Sequence, residues 1–161
     1  MKPRIDNPAV KMPDVLHALQ ELGAAIRKND LPETTLALVE VRASQINGCA
    51  VCLDMHTREL RAAGEPDERI NMIAAWREAP YFSEAERAAL ALTEAVTRIA
   101  DSPDAVADEI WDEAARHYDE TQLGALVVAI AGINAFNRIN AATRQITGDW
   151  VEKWIATPVA A

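Results

Sequence analysis

Cysteine is almost missing from this chain of 161 residues: only Cys49 and Cys52 are present. A disulfide framework is therefore excluded as the source of stability, and so short a loop would constrain the unfolded chain little. Aromatic residues make up only 5% and the apolar half of the composition is rich in alanine, which suits close-packed helices better than a sheet of branched and aromatic side chains. Basic residues are outnumbered 16 to 25, for a net charge of −9, which argues against nonspecific binding to nucleic acid or to an anionic membrane. The longest apolar run, Leu123 to Ile133, falls short of the roughly eighteen residues of a membrane span. Met1 to Pro13 has no apolar stretch of the secretory kind, so the expected compartment is the cytoplasm. In a reducing compartment a cysteine pair points to chemistry.

What is present is helical punctuation. Apolar residues recur at three- and four-residue spacing in about seven segments, with no strand pattern between them. They run from Asp14 to Lys28, from Leu31-Pro32 to Asn47-Gly48, from Cys49 to Gly64, and from Pro66-Asp67 to Trp76. A fifth starts at Ser83, where Glu86 completes a capping box, and extends to Ile99; a sixth starts at Ser102-Pro103 and ends near Tyr118. Asp119 with Gln122 caps the seventh, which can reach Ile146 and is apolar nearly all round between Leu123 and Ile133. That segment belongs at the centre of a bundle or between subunits. The asparagines that follow, Asn134, Asn137 and Asn140, either bond across a helix contact or form a wet helix end. Trp150 and Trp154 are expected to fold the tail back as anchors. The expectation is an all-α bundle, one domain over residues 1–161.

Cys49, Cys52 and His56 are spaced three and four apart, so on a helix they share one stripe. Asn47-Gly48 places Cys49 near a helix N-terminus, where free backbone N–H groups and the dipole favour a thiolate. His56 lies one turn beyond Cys52 and can take its proton or pair with its thiolate. Once one sulfur is a sulfenic acid, the other can close a disulfide on it. Glu40, on the preceding helix, can approach His56 from the side and fix its tautomer. Two other readings stay open: zinc held by the two cysteines, His56 and Glu40, although three ligands on one helix are crowded, and an inert pair of small core residues. His17 and His117 lack neighbours arranged for chemistry and read as structural or surface residues.

The run from Glu40 through Ser44-Gln45-Ile46-Asn47-Gly48-Cys49 to Cys52 and His56 resembles the signature of the carboxymuconolactone decarboxylase and alkylhydroperoxidase D-like superfamily. Phe136-Asn137-Arg138-Ile139-Asn140 is similar to the end of the last long helix in its peroxidase-related branch. The resemblance spans roughly residues 15 to 148. It implies an alkylhydroperoxidase D-like helical fold, assembly into trimers or hexamers, and reduction of small organic hydroperoxides, with re-reduction by a dithiol such as a lipoylated protein. By the same resemblance Cys52 attacks, Cys49 resolves, and His56 and Glu40 relay protons. No cofactor or metal is implied. The chain departs from the best-studied pattern at Val51, where that pattern has a histidine, and at Ala37, where it has its glutamate. Two further functions compete: a lactone decarboxylase using His56 as acid or base, and a non-enzymatic oligomer whose dithiol reports oxidation.

Overall fold

The computed structural model describes residues 2–155, and their side chains as far as Glu152. Among the described residues there are no strands. The helices are α1 (Pro8–Lys11), α2 (Pro13–Ile26), α3 (Glu33–Asn47), α4 (Ala50–Ala62), α5 (Asp67–Asn71), α6 (Glu84–Thr97), α7 (Asp108–Ala115), α8 (Glu120–Thr143) and α9 (Trp150–Ile155), with 3₁₀ turns at Met72–Ala75 and Ile99–Asp101. The all-α expectation holds; among the described residues the count is nine α-helices against an expected seven or so.

The centre is α3, which packs against α4, α6 and α8. Its successive faces feed two cores: Leu36 and Val39 meet Leu92, Leu126 and Ile130, while Leu38 and Val41 meet Leu60, Ile73, Trp76 and Leu90. Burying each such side chain contributes on the order of 2 kcal/mol. Alanines at Ala88, Ala89, Ala125 and Ala129 let α6 and α8 approach closely, which is where the alanine-rich composition goes. By length and composition α8 could cross a membrane. Here it lies against α2, α3 and α6. Its three asparagines are buried and bonded across helix contacts rather than wetted at a helix end.

Both capping boxes form as read, Ser83 with Glu86 and Asp119 with Gln122. The Ser102-Pro103 start does not: the Ser102 hydroxyl donates to the Asp104 carbonyl, 2.7 Å away, and α7 begins only at Asp108. A side chain spent on a local turn is not free to cap. The segment after Pro66 tightens to 3₁₀ at Met72, where buried Ile73 and Trp76 pull it onto α3 and α6. Arg144, in the left-handed region at φ 55°, stops α8 short of Ile146. Val151, fully buried, anchors the tail, whereas Trp150 is 42% exposed with its indole N–H donating to the Ile146 carbonyl; the expected anchor at Trp154 lies outside the described side chains.

Candidate active site

Only Gly48 and Cys49 separate α3 from α4. Gly48 closes α3 in the left-handed conformation, φ 66°, with its N–H on the Ser44 carbonyl. Glycine enters that region without the Cβ penalty, which is why the chain can turn so sharply here. Cys49 then becomes the N-cap of α4, its sulfur accepting the Cys52 backbone N–H at 3.4 Å. The cap of α4 is a sulfur atom.

Both cysteines are free thiols, 2% and 3% exposed. They differ in what surrounds them. Hydrogen bonding from the Cys52 thiol holds the Cys49 thiol down at about 6, against the push of burial, and the Cys52 backbone N–H helps. The Cys52 thiol is pushed up by that same bond, by burial and by the charge on Cys49. The shared bond thus favours a thiolate on Cys49 and a protonated thiol on Cys52. Cys52 lines an apolar cavity of about 850 Å³ with Val51, Met55, Ile133, Phe136 and Ile139, and α2 supplies Leu16, Leu19 and Leu22 as the opposite wall. Cys49 sits behind it.

One turn along α4, His56 Nδ1 is 3.2 Å from Glu40 Oε2 and 2.8 Å from Glu59 Oε2. Glu40 therefore reaches His56 across the corner, as read. Burial pushes the imidazole down, but the two carboxylates overcome it and raise it above its ordinary value, favouring imidazolium. Burial raises the Glu40 carboxyl, partly offset by His56, while Glu59, desolvated but hydrogen-bonded to His56, is lowered. Nδ1 is thereby occupied, leaving Nε2 for proton exchange. The ligand atoms of Glu40, His56 and Glu59 lie within 4.8 Å of one another; among the described residues it is this trio, without the cysteines, that is grouped closely enough to hold a cation. His17 and His117 each sit beside a glutamate four positions away, Glu21 and Glu113, outside this site.

Glu59 is a member of this cluster that was not expected from sequence, though its i,i+3 spacing from His56 on one helix was the available signal. Asn47 donates to the side chains of Asn134 and Asn137, 2.9 Å each, and Asn137 donates to Ser44 Oγ at 3.1 Å. These bonds lock α8 to the corner. Asn140 donates to Cys52 Sγ at 3.4 Å.

Residues 13–95 match the model of the carboxymuconolactone decarboxylase family. YdfG of Bacillus subtilis (strain 168), an uncharacterized protein, is 38% identical over 130 residues, covering 81% of this chain and 87% of YdfG. Among solved structures, an Agrobacterium tumefaciens protein of unknown function, a candidate antioxidant-defence protein AhpD, superimposes with a TM-score of 0.84 at 35% identity, over 91% of this chain and 99% of that one. The debrominase Bmp8 superimposes with a TM-score of 0.74 at 25% identity, over 92% of this chain and 78% of its own.

Proposed function

Because the chain belongs to the carboxymuconolactone decarboxylase family, within its AhpD-like antioxidant-defence superfamily, we propose that it is a redox enzyme reducing small organic hydroperoxides with the Cys49/Cys52 dithiol. The observation that carries the reading is the placement of the two sulfurs: Cys52 lines the apolar cavity one turn before His56, and Cys49 caps α4 behind it, where its hydrogen bond with Cys52 favours a thiolate.

In this reading the Cys52 proton passes to Cys49 as Cys52 Sγ attacks the terminal peroxide oxygen. The O–O bond breaks, and the departing alkoxide takes the imidazolium proton of His56, giving alcohol and a Cys52 sulfenic acid. His56, now neutral, accepts the Cys49 proton as that sulfur attacks Cys52. Hydroxide leaves, receives the proton and departs as water, with a Cys49–Cys52 disulfide behind it. An external dithiol, of which a lipoylated protein is one source, supplies the two electrons that restore the pair. Glu40 and Glu59 keep the imidazole charged and oriented. A lactone decarboxylase needs no dithiol, and two carboxylates beside the histidine oppose a dianionic substrate.

The likeness to a debrominase supports a second reading in which carbon-bound bromine is the electrophile. Cys52 then takes the bromine, the carbanion is protonated, and Cys49 expels bromide to give the same disulfide. Assembly of several copies is part of the proposal, supported by exposed apolar groups on the N-terminal segment and by Val128 on α8, 40% exposed; sedimentation showing a monomer at micromolar concentration would count against it.

The deciding experiment gives Cys49→Ser and Cys52→Ser proteins one equivalent of cumene hydroperoxide and then a dimedone-type trap, alongside wild-type turnover with dihydrolipoamide. Rapid labelling of Cys52 in the first variant, none in the second, and wild-type turnover are expected. Labelling of Cys49 alone reverses the roles. No turnover, with bromide released from a brominated pyrrole, selects the second reading.

A further inference from the structure

An amide has one donor end and one acceptor end, so fixing one fixes the other. Asn140 is buried on the last turn of α8, and both of its ends are engaged. Its Nδ2 donates to Cys52 Sγ at 3.4 Å, and its Oδ1 accepts from Asn7 Nδ2 at 3.0 Å. Asn7 is itself polarised, because its Oδ1 is committed to the Ala9 backbone N–H at 3.0 Å as the N-cap of α1. It has only its NH₂ to offer Asn140. The surrounding segment is held against the end of α8 by Arg4, whose backbone N–H and Nη1 reach the carbonyls of Thr143 and Ala142 at 2.9 Å each. Gln145 Nε2 donates to the Ile5 carbonyl at 3.0 Å.

We infer that Asn140 is a positioning residue for the dithiol, and that Asn7, 133 residues away in sequence, sets its orientation so that an N–H rather than a carbonyl oxygen faces Cys52 Sγ. An N–H beside the sulfur favours the charged pair; a carbonyl there would accept from the neutral thiol and oppose it. The effect of the Asn140 amide on both sulfurs has that sign. Asn137, the other amide near the sulfurs, takes its orientation from α3 through Ser44 and Asn47, independently of the N-terminus. The titratable and charged groups lining the same cavity are Glu40, His56 and Glu59, with Arg27, Asp6 and Lys11; none of them contacts the Asn140 amide. The inference rests on reading Cys49 and Cys52 as the reactive pair.

The test measures the thiols themselves. Alkylation of the reduced full-length protein by iodoacetamide is followed across pH by mass spectrometry, for wild type, Asn140→Leu and Asn7→Asp. Leucine keeps the volume and removes the donor. Aspartate at position 7 keeps the α1 cap but can only accept, so the Asn140 amide turns round and presents its oxygen to Cys52. Both variants are expected to raise the thiol midpoint by about one pH unit, slowing alkylation about tenfold below it. The Asn7→Asp shift should survive about 1 M salt, which screens the added charge but not the reversed amide. A wild-type profile for Asn140→Leu, or an Asn7→Asp shift abolished by salt, overturns the inference. If Asn140→Leu loses its helical circular dichroism, Asn7→Asp decides alone. No turnover enters these readings, so failure here leaves hydroperoxide reduction standing, and failure of turnover leaves the Asn7–Asn140 relay standing.

Discussion

Two glutamates at helix contacts, comparably buried, have opposite surroundings. Glu94 on α6 accepts from Trp76 Nε1 at 2.9 Å and from Arg77 at 2.8 Å, and Arg42 and Arg98 approach at 2.7 and 3.6 Å. Burial pushes its carboxyl up, but Trp76 and the arginines overcome this and leave it lowered. Glu40 on α3, two residues before Arg42, has His56 as its ion-pair partner, with Arg27 acting from farther off, and its Oε2 is buried without a well-aligned hydrogen bond. Its carboxyl is raised. A carboxylate with every lone pair served is a fixed charge and serves the fold. One left short is the kind of group that can change its proton, and it stands beside the dithiol.

Substitution can break that contrast in three places. Glu94→Ala strands Arg42 in the interior and should cost about 3–5 kcal/mol in urea unfolding. The alkylation rate of the folded protein should not change; a parallel fall would show that the two glutamates are not separate in role. Glu40→Gln should do the reverse, slowing single-turnover hydroperoxide consumption on the order of a hundredfold while shifting stability by less than about 1 kcal/mol. An unchanged rate removes Glu40 from the chemistry. Glu59→Gln, which leaves Glu40 in place, should slow the same step about tenfold.

The smallest effect is in pH dependence. His56 is raised in the folded state, so its pairing with Glu40 and Glu59 stabilises the fold fully below the ordinary histidine value of 6.5, and that stability is lost as pH rises through the higher folded value. Urea midpoints should fall in that window, and by less in Glu59→Gln; an equal fall in both proteins would assign it elsewhere. Cys49 moves the other way: alkylation should rise through a midpoint of about 6. A midpoint near the ordinary thiol value of 9 would return the pair to the inert-core reading.

How much of this was legible depends on whether a feature is local. The Gly48-Cys49 corner and the caps at Ser83 and Asp119 are written in neighbouring residues, and they stand where the spacing put them. The false start at Ser102 looked the same in sequence, because Ser-Pro opens a turn as readily as a helix and the choice rests on where one hydroxyl points. The short α1 was missed: four residues carry no periodicity, and its Asn7 cap is visible only once the fold is known. Glu40 was found because a tight corner returns α4 against α3. The Asn7–Asn140 bond could not be, since nothing local joins the two ends of a chain. The placement of Cys52 on the cavity wall with Cys49 behind it also needed tertiary packing.

Gly48 has a consequence for how this protein can fail. A Cβ there would meet no atom within 4 Å, so a substitution is opposed by conformation alone, at φ 66°. Asparagine, which visits that region, should be tolerated, while a β-branched residue should not. A damaged variant of this kind would keep both thiols, and a count of free cysteines after unfolding would find it intact. Its Cys49 sulfur would nonetheless no longer cap α4. The loss would originate at a residue with no side chain and no part in any reaction, and a screen that inspects only reactive groups would pass it.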